Sequence, residues 1–110
     1  MTPLWCDRDS TQDITIRDTV VWERIMYLRG NLYIEAGGSL SIRCLASMPA
    51  GSHIYIAPGG KLLLEGGTLY QSCGREWQGI IIGSSGDKAG VFEYTDDAVV
   101  RDVFLDDSVR

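Results

Sequence analysis

Apolar and polar residues alternate along this chain in short runs, and the clearest runs come in pairs joined by a double glycine. Leu32 to Ile42 reads LYIEAGGSLSI, and Ile54 to Leu64 reads IYIAPGGKLLL. Period-two alternation puts the aliphatic residues of such runs on one face of a strand and the rest on the other. Leu32, Ile34, Leu40 and Ile42 are therefore predicted to face inward, as are Ile54, Ile56, Leu62 and Leu64. Tyr33, Tyr55, Ser39, Ser41, Lys61 and Leu63 are predicted to face outward. Gly37-Gly38 and Gly59-Gly60 mark corners, because glycine reaches positive φ without a Cβ clash. The two phrases lie 22 residues apart, and a third segment follows each at the same offset, around Ala46 to Met48 and Thr68 to Tyr70.

Ile14 to Ile16, Val20 to Trp22 and Ile25 to Leu28 precede the repeat and read as strands. After it, Gly79-Ile80-Ile81-Ile82-Gly83 reads as a buried strand bounded by glycines. Ser84 to Gly90 is a polar, glycine-rich loop, longer than its counterparts. Val91 to Tyr94 and Ala98 to Val100 resume as strands around an Asp96-Asp97 corner. Val103 to Leu105 is expected to open a further copy, 23 residues after Ile80.

One copy of such a repeat cannot bury its own apolar face and needs a neighbour. The expected fold is all-β, a parallel β-helix (β-solenoid) of about three to four coils of roughly 22 residues, each with three short strands. Leu32 then lies under Ile54 and Ile80, Leu40 under Leu62, and Ile42 under Leu64. An antiparallel meander competes, but a fixed offset across three separate segments fits stacking better than hairpin pairing. Residues 1–31 are expected to form an N-terminal segment that caps the coils through Leu4 and Trp5, or a first partial coil. Residues 32–110 are expected to be coils, as a piece of a longer solenoid. A bare strand edge recruits other chains. Self-association through open coil edges near Val103–Leu105 is therefore expected, and it should strengthen as salt screens Asp102, Asp106 and Asp107.

Composition narrows the chemistry. A net charge of −5 argues against nucleic acid, whose phosphates need a basic face. No apolar run approaches the ~18 residues of a membrane span. The start, MTPLWCDRDS, lacks the basic end and apolar core of a signal peptide. Cys6, Cys44 and Cys73 include no CxxC pair, so no structural zinc motif is present. Three reduced thiols and a Cys44–Cys73 bridge both remain open.

The outward positions of the two clear copies carry no carboxylate, so they cannot supply the acid pair of glycoside hydrolysis. No catalytic residue and no cofactor is expected. Acids gather late, at Glu93, Asp96, Asp97, Asp102, Asp106 and Asp107. Asp96 and Asp97 are candidate Ca²⁺ ligands, with solvated corner charge as the plainer reading. His53 has no nucleophile pattern near it. Arg43, Lys61 and Arg75 stand isolated and make no phosphate cradle. Trp22 and Trp77 each precede an apolar strand and are expected to pack at the core edge. Tyr33 and Tyr55, in register and outward, are the candidate binding residues, for sugar rings or for a partner protein. Gly37, Gly38, Gly59, Gly60, Leu40 and Leu62 are assigned structural roles.

The phrases GGSLSI, PGGKLLLEGGTLY and WQGIII resemble right-handed parallel β-helix coils of the pectate-lyase-like superfamily, as found in secreted and cell-surface bacterial proteins. The resemblance spans about residues 14–105. It implies right-handed coiling and an extracellular or cell-surface location. It does not imply an activity, because the same shape serves lyases, adhesins and passive stalks. The function expected is a non-catalytic extracellular scaffold or binding module that engages a polysaccharide or a surface protein. The alternative is part of a carbohydrate-active β-helix enzyme, a polysaccharide lyase or glycoside hydrolase, whose catalytic coils lie outside this chain. A purely structural spacer is the third reading.

Overall fold

Runs of three or four residues leave most backbone donors and acceptors unpaired until other runs lie beside them. The computed structural model, which describes residues 12–71 and 76–103, satisfies them by parallel pairing. In chain order the strands are β1 (Ile14–Ile16), β2 (Thr19–Trp22), β3 (Met26–Tyr27), β4 (Leu32–Ile34), β5 (Ser39–Ile42), β6 (Leu45–Ser47) and β7 (Ile54–Ile56). They continue as β8 (Lys61–Leu64), β9 (Thr68–Tyr70), β10 (Ile80–Ile82), β11 (Ser84–Ser85), β12 (Lys88–Ala89), β13 (Val91–Tyr94) and β14 (Val99–Val100). Three four-stranded sheets result, ordered β1-β4-β7-β10, β2-β5-β8-β13 and β3-β6-β9-β14. The chain thus visits the three sheets in turn and makes four circuits. The fold is all-β with stacked parallel sheets, an arrangement compatible with a β-solenoid.

The inward ladders follow the expected register. Leu32 faces Ile54 and Ile54 faces Ile80, while Leu40 faces Leu62 and Ile42 faces Leu64. Leu40, Leu62 and their inward neighbours in the two middle circuits are fully buried. Trp77 is buried too, and its indole N–H donates to the Arg101 carbonyl at 2.7 Å. Trp22 is half-buried against the core.

Each glycine of a corner pair serves a different need. Gly37 and Gly59 sit at φ of 84° and 89°, where a Cβ is strained. Gly38 and Gly60 lie against the circuit below. A Cβ on Gly60 would stand 2.8 Å from the Ile34 carbonyl oxygen, and one on Gly38 would overlap the Ile16 carbonyl oxygen.

Four expectations are corrected. The third segment is offset by 23 residues, not 22, so Leu45 faces Thr68, Ala46 faces Leu69 and Ser47 faces Tyr70. The corner Glu65-Gly66-Gly67 holds one more residue than Arg43-Cys44, and the shift lets Leu69 point inward. The spacing also lengthens along the chain. Ile14 faces Leu32, 18 residues on, whereas Ile54 faces Ile80, 26 residues on. The Gly79–Gly83 strand is not buried. Ile82, on the inward side like its partner Ile56, is 49% exposed because β10 is the edge strand of its sheet, while Ile81, on the outward side in line with Tyr55, is 46% exposed. Finally, Val103 pairs with Trp77 rather than with Ile80. The polar loop after β10 forms a small antiparallel hairpin, β11–β12. Expectations resting on Leu4, Trp5, Cys6, Cys73, Arg75, Leu105, Asp106 and Asp107 lie outside the described residues.

Candidate functional site

Alternation that buries one residue of a strand exposes the next, so each sheet carries an outer face with its own chemistry. On the first sheet Thr15, Tyr33, Tyr55 and Ile81 form one row. Asn31, buried at the entrance to β4, organises its lower part. Its backbone N–H donates to Asp13 Oδ1 (2.8 Å), its Nδ2 donates to the Tyr33 hydroxyl (3.2 Å), and its Oδ1 accepts from the His53 N–H (3.1 Å). The Tyr33 and His53 rings meet edge to face, with centroids 5.6 Å apart. The Tyr55 hydroxyl instead lies over Gly83, beyond the far end of β10. The two tyrosines share register and are both half-buried, but their rings lean toward opposite ends of their strands.

The second sheet carries charge. Arg43 Nε meets Glu65 Oε1 at 2.6 Å, Arg43 Nη1 meets Glu23 Oε1 at 3.2 Å, and Lys61 Nζ meets Glu93 Oε1 at 2.8 Å. Arg43 and Lys61 are thus paired across circuits, which corrects their isolation in sequence. The Arg43 guanidinium is held above its ordinary pKa, chiefly by the bond to Glu65. Exposed pairs of this kind stabilise little.

At the corner after β13 the Thr95 hydroxyl donates to Asp97 Oδ1 at 2.6 Å and accepts from the Gly66 N–H at 2.7 Å. That hydroxyl bond is the main reason the Asp97 carboxyl lies below its usual range. Asp96 shares the turn. Among the described residues, no three His, Cys, Asp or Glu side chains converge as metal ligands would. Cys44 is a free, half-buried thiol whose pKa burial raises.

The third sheet holds the feature that sequence patterning missed. Tyr27 faces Ser47, Ser47 faces Tyr70, and Arg101 follows β14 at the next step of the same row. Ser47 is buried between the two tyrosines. The Tyr70 hydroxyl is raised above its usual pKa, first by partial burial and then by Tyr27, while Arg101 pulls the other way. Tyr27 is 54% exposed, and Leu45 and Val99 line a neighbouring exposed row with Thr68 between them. Two phenols, a guanidinium and aliphatic flanks can together stack on a ring and hydrogen-bond its substituents. An offset of 22 hides this row, because it sets Met48, not Ser47, beside Tyr70. The extra residue in the Glu65–Gly67 corner was the signal that could have revealed it.

Compared with known proteins, the chain matches no family model, and neither a curated protein nor a solved structure matches it. Among the described residues no helix is long and apolar enough to cross a membrane.

Proposed function

We propose that this chain is a right-handed parallel β-helix of the pectate-lyase-like kind that works outside the cell as a non-catalytic binding module for polysaccharide. The observation that carries this reading is the outward row Tyr27–Ser47–Tyr70–Arg101, carried by the parallel strands β3, β6 and β9 and by the residue that follows β14. It crosses three strand spacings, about 14 Å, along the direction in which the circuits stack. A straight row of rings and donors on a stiff ladder suits an extended chain of sugar rings, since little order is lost on binding. The Tyr33–Tyr55 row on the first sheet offers a second, adjoining contact.

Affinity electrophoresis and calorimetry against neutral and acidic polysaccharides test the proposal. At least one should bind, and Tyr27→Ala or Tyr70→Ala should weaken binding about tenfold, or about 1.4 kcal/mol. Binding lost only with Tyr33→Ala or Tyr55→Ala would move the site to the first sheet. No binding to any polysaccharide would overturn the reading, and product release by the purified chain would replace it with a catalytic one.

A further inference from the structure

One backbone pattern runs along the third sheet and breaks at Arg101. The Ser47 carbonyl accepts from the Leu28 N–H at 2.9 Å, and the Tyr70 carbonyl accepts from the Met48 N–H at 2.7 Å. In each case the residue after one member of the Tyr27–Ser47–Tyr70–Arg101 row donates to the next member. By that pattern Gln71, which follows Tyr70, would donate to the Arg101 carbonyl. Instead the Gln71 N–H goes to Asp102 Oδ2 at 3.0 Å, and the Arg101 carbonyl accepts from the Trp77 indole N–H at 2.7 Å.

Asp102 makes this exchange possible. It sits at φ of 61°, and among the described residues it is the one non-glycine residue at positive φ. Most side chains resist that conformation, and Asp is among those that tolerate it. The chain turns directly after Arg101 and brings the Asp102 carboxylate to the Gln71 N–H. The Asp102 carbonyl accepts from the Trp77 N–H at 2.9 Å, and Val103 pairs with Trp77. Trp77 is fully buried, so this segment is tied to the core. On its other side, the Arg101 N–H donates to the Leu69 carbonyl at 2.8 Å. β14 ends at Val100, and these bonds hold Arg101 in the row where strand pairing stops.

We infer that Asp102 is a positioning residue of the binding row: its carboxylate takes the place of the Arg101 carbonyl in the ladder, releases that carbonyl to Trp77, and so fixes Arg101 beside Tyr70. Ligand contact falls to Arg101, which is exposed. A guanidinium on a backbone already fixed loses less freedom when it bonds the oxygens of a sugar. This role rests on the polysaccharide reading for its ligand, whereas the place of Arg101 can be measured without one. The Tyr70 phenol is raised by Tyr27 and lowered by Arg101, so moving the cation away raises it further.

Two variants separate the carboxylate oxygen from its charge and from the backbone. Asp102→Asn and Asp102→Gly lose the same charge and both accept positive φ, but only Asn keeps an oxygen acceptor. Calorimetry with xylan as a neutral probe and polygalacturonate as an acidic one should find Asp102→Asn close to wild type. Asp102→Gly should bind about tenfold more weakly, the loss of one charged hydrogen bond. Adding Asp102→Gly to Arg101→Ala should weaken binding no further, since Asp102 acts through Arg101. Carbon NMR of the Tyr70 ring, assigned with Tyr70→Phe, should show the phenol titrating higher in Asp102→Gly and Arg101→Ala than in Asp102→Asn. Circular dichroism melting checks that each variant folds. Equal loss of binding in Asp102→Asn and Asp102→Gly overturns the inference, as do losses that add in full in the double variant. A Tyr70 titration that is the same in Asp102→Gly and Asp102→Asn overturns it too. Wild-type protein that binds neither probe tells against the polysaccharide reading alone, and the Tyr70 titration then decides whether Asp102 places Arg101.

Discussion

Neighbouring residues on one strand meet opposite environments. Leu62 and Leu63 differ by a single position, yet Leu62 is fully buried between Leu40 and Phe92 whereas Leu63 is half-exposed between Ser41 and Glu93. Leu62→Ala should therefore destabilise by about 2–5 kcal/mol, since it opens a cavity the ladder above and below cannot fill. Leu63→Ala should cost under about 1 kcal/mol, because the loss is partly exposed surface. Urea denaturation of both variants measures the difference, and equal losses would contradict the register. The same logic applies to polar groups. Asn31 is nearly fully buried and its polar groups are paired, with two bonds made by its side chain and two by its backbone, the N–H to Asp13 and the carbonyl from the Ile14 N–H.

At the scale of the element, the corners govern how closely circuits approach. Gly37 needs positive φ but has open space around it, whereas Gly38 has ordinary φ and no space. The pair therefore separates under substitution. Gly37→Asn should be nearly neutral, since Asn tolerates the left-handed region and meets nothing. Gly38→Ala should cost roughly 1–3 kcal/mol, because the Ile16 carbonyl must move and its bond to the Glu35 N–H moves with it. Thermal melts of the two variants check this, and the reverse ranking would mean that conformation, not contact, sets the corner. Corner length matters as much as corner composition. One residue more in Glu65–Gly67 than in Arg43–Cys44 turns Leu69 inward and sets Tyr70 beside Ser47.

Across the whole molecule, each circuit touches only its neighbours, so stability should fall from the middle toward the ends. The β5 and β8 strands lie between two others, whereas β2 and β13 are the edges of that sheet. Hydrogen exchange on dilute protein should find the slowest amides in β4, β5, β7 and β8 and markedly faster ones in β13 and β14. Uniform protection at every dilution would indicate a single cooperative unit.

Alternation and the paired glycines were enough, without coordinates, to define most of the strands, the inward residues of the two repeated phrases and the parallel stacking of Leu32, Ile54 and Ile80. These features depend on local periodicity, and a period of two has only one way to bury its apolar half. Three things were settled in space instead. The shift of β9 by one residue came from how a three-residue corner spans the gap, which no repeat length reveals. The exposure of Ile82 and Tyr94 followed from their place on edge strands, because burial depends on a neighbour and not on the residue. The Arg43 and Lys61 ion pairs and the Tyr27–Tyr70–Arg101 row joined residues one or more circuits apart. Only stacking brings such side chains within reach of each other, and stacking is a property of the assembled fold.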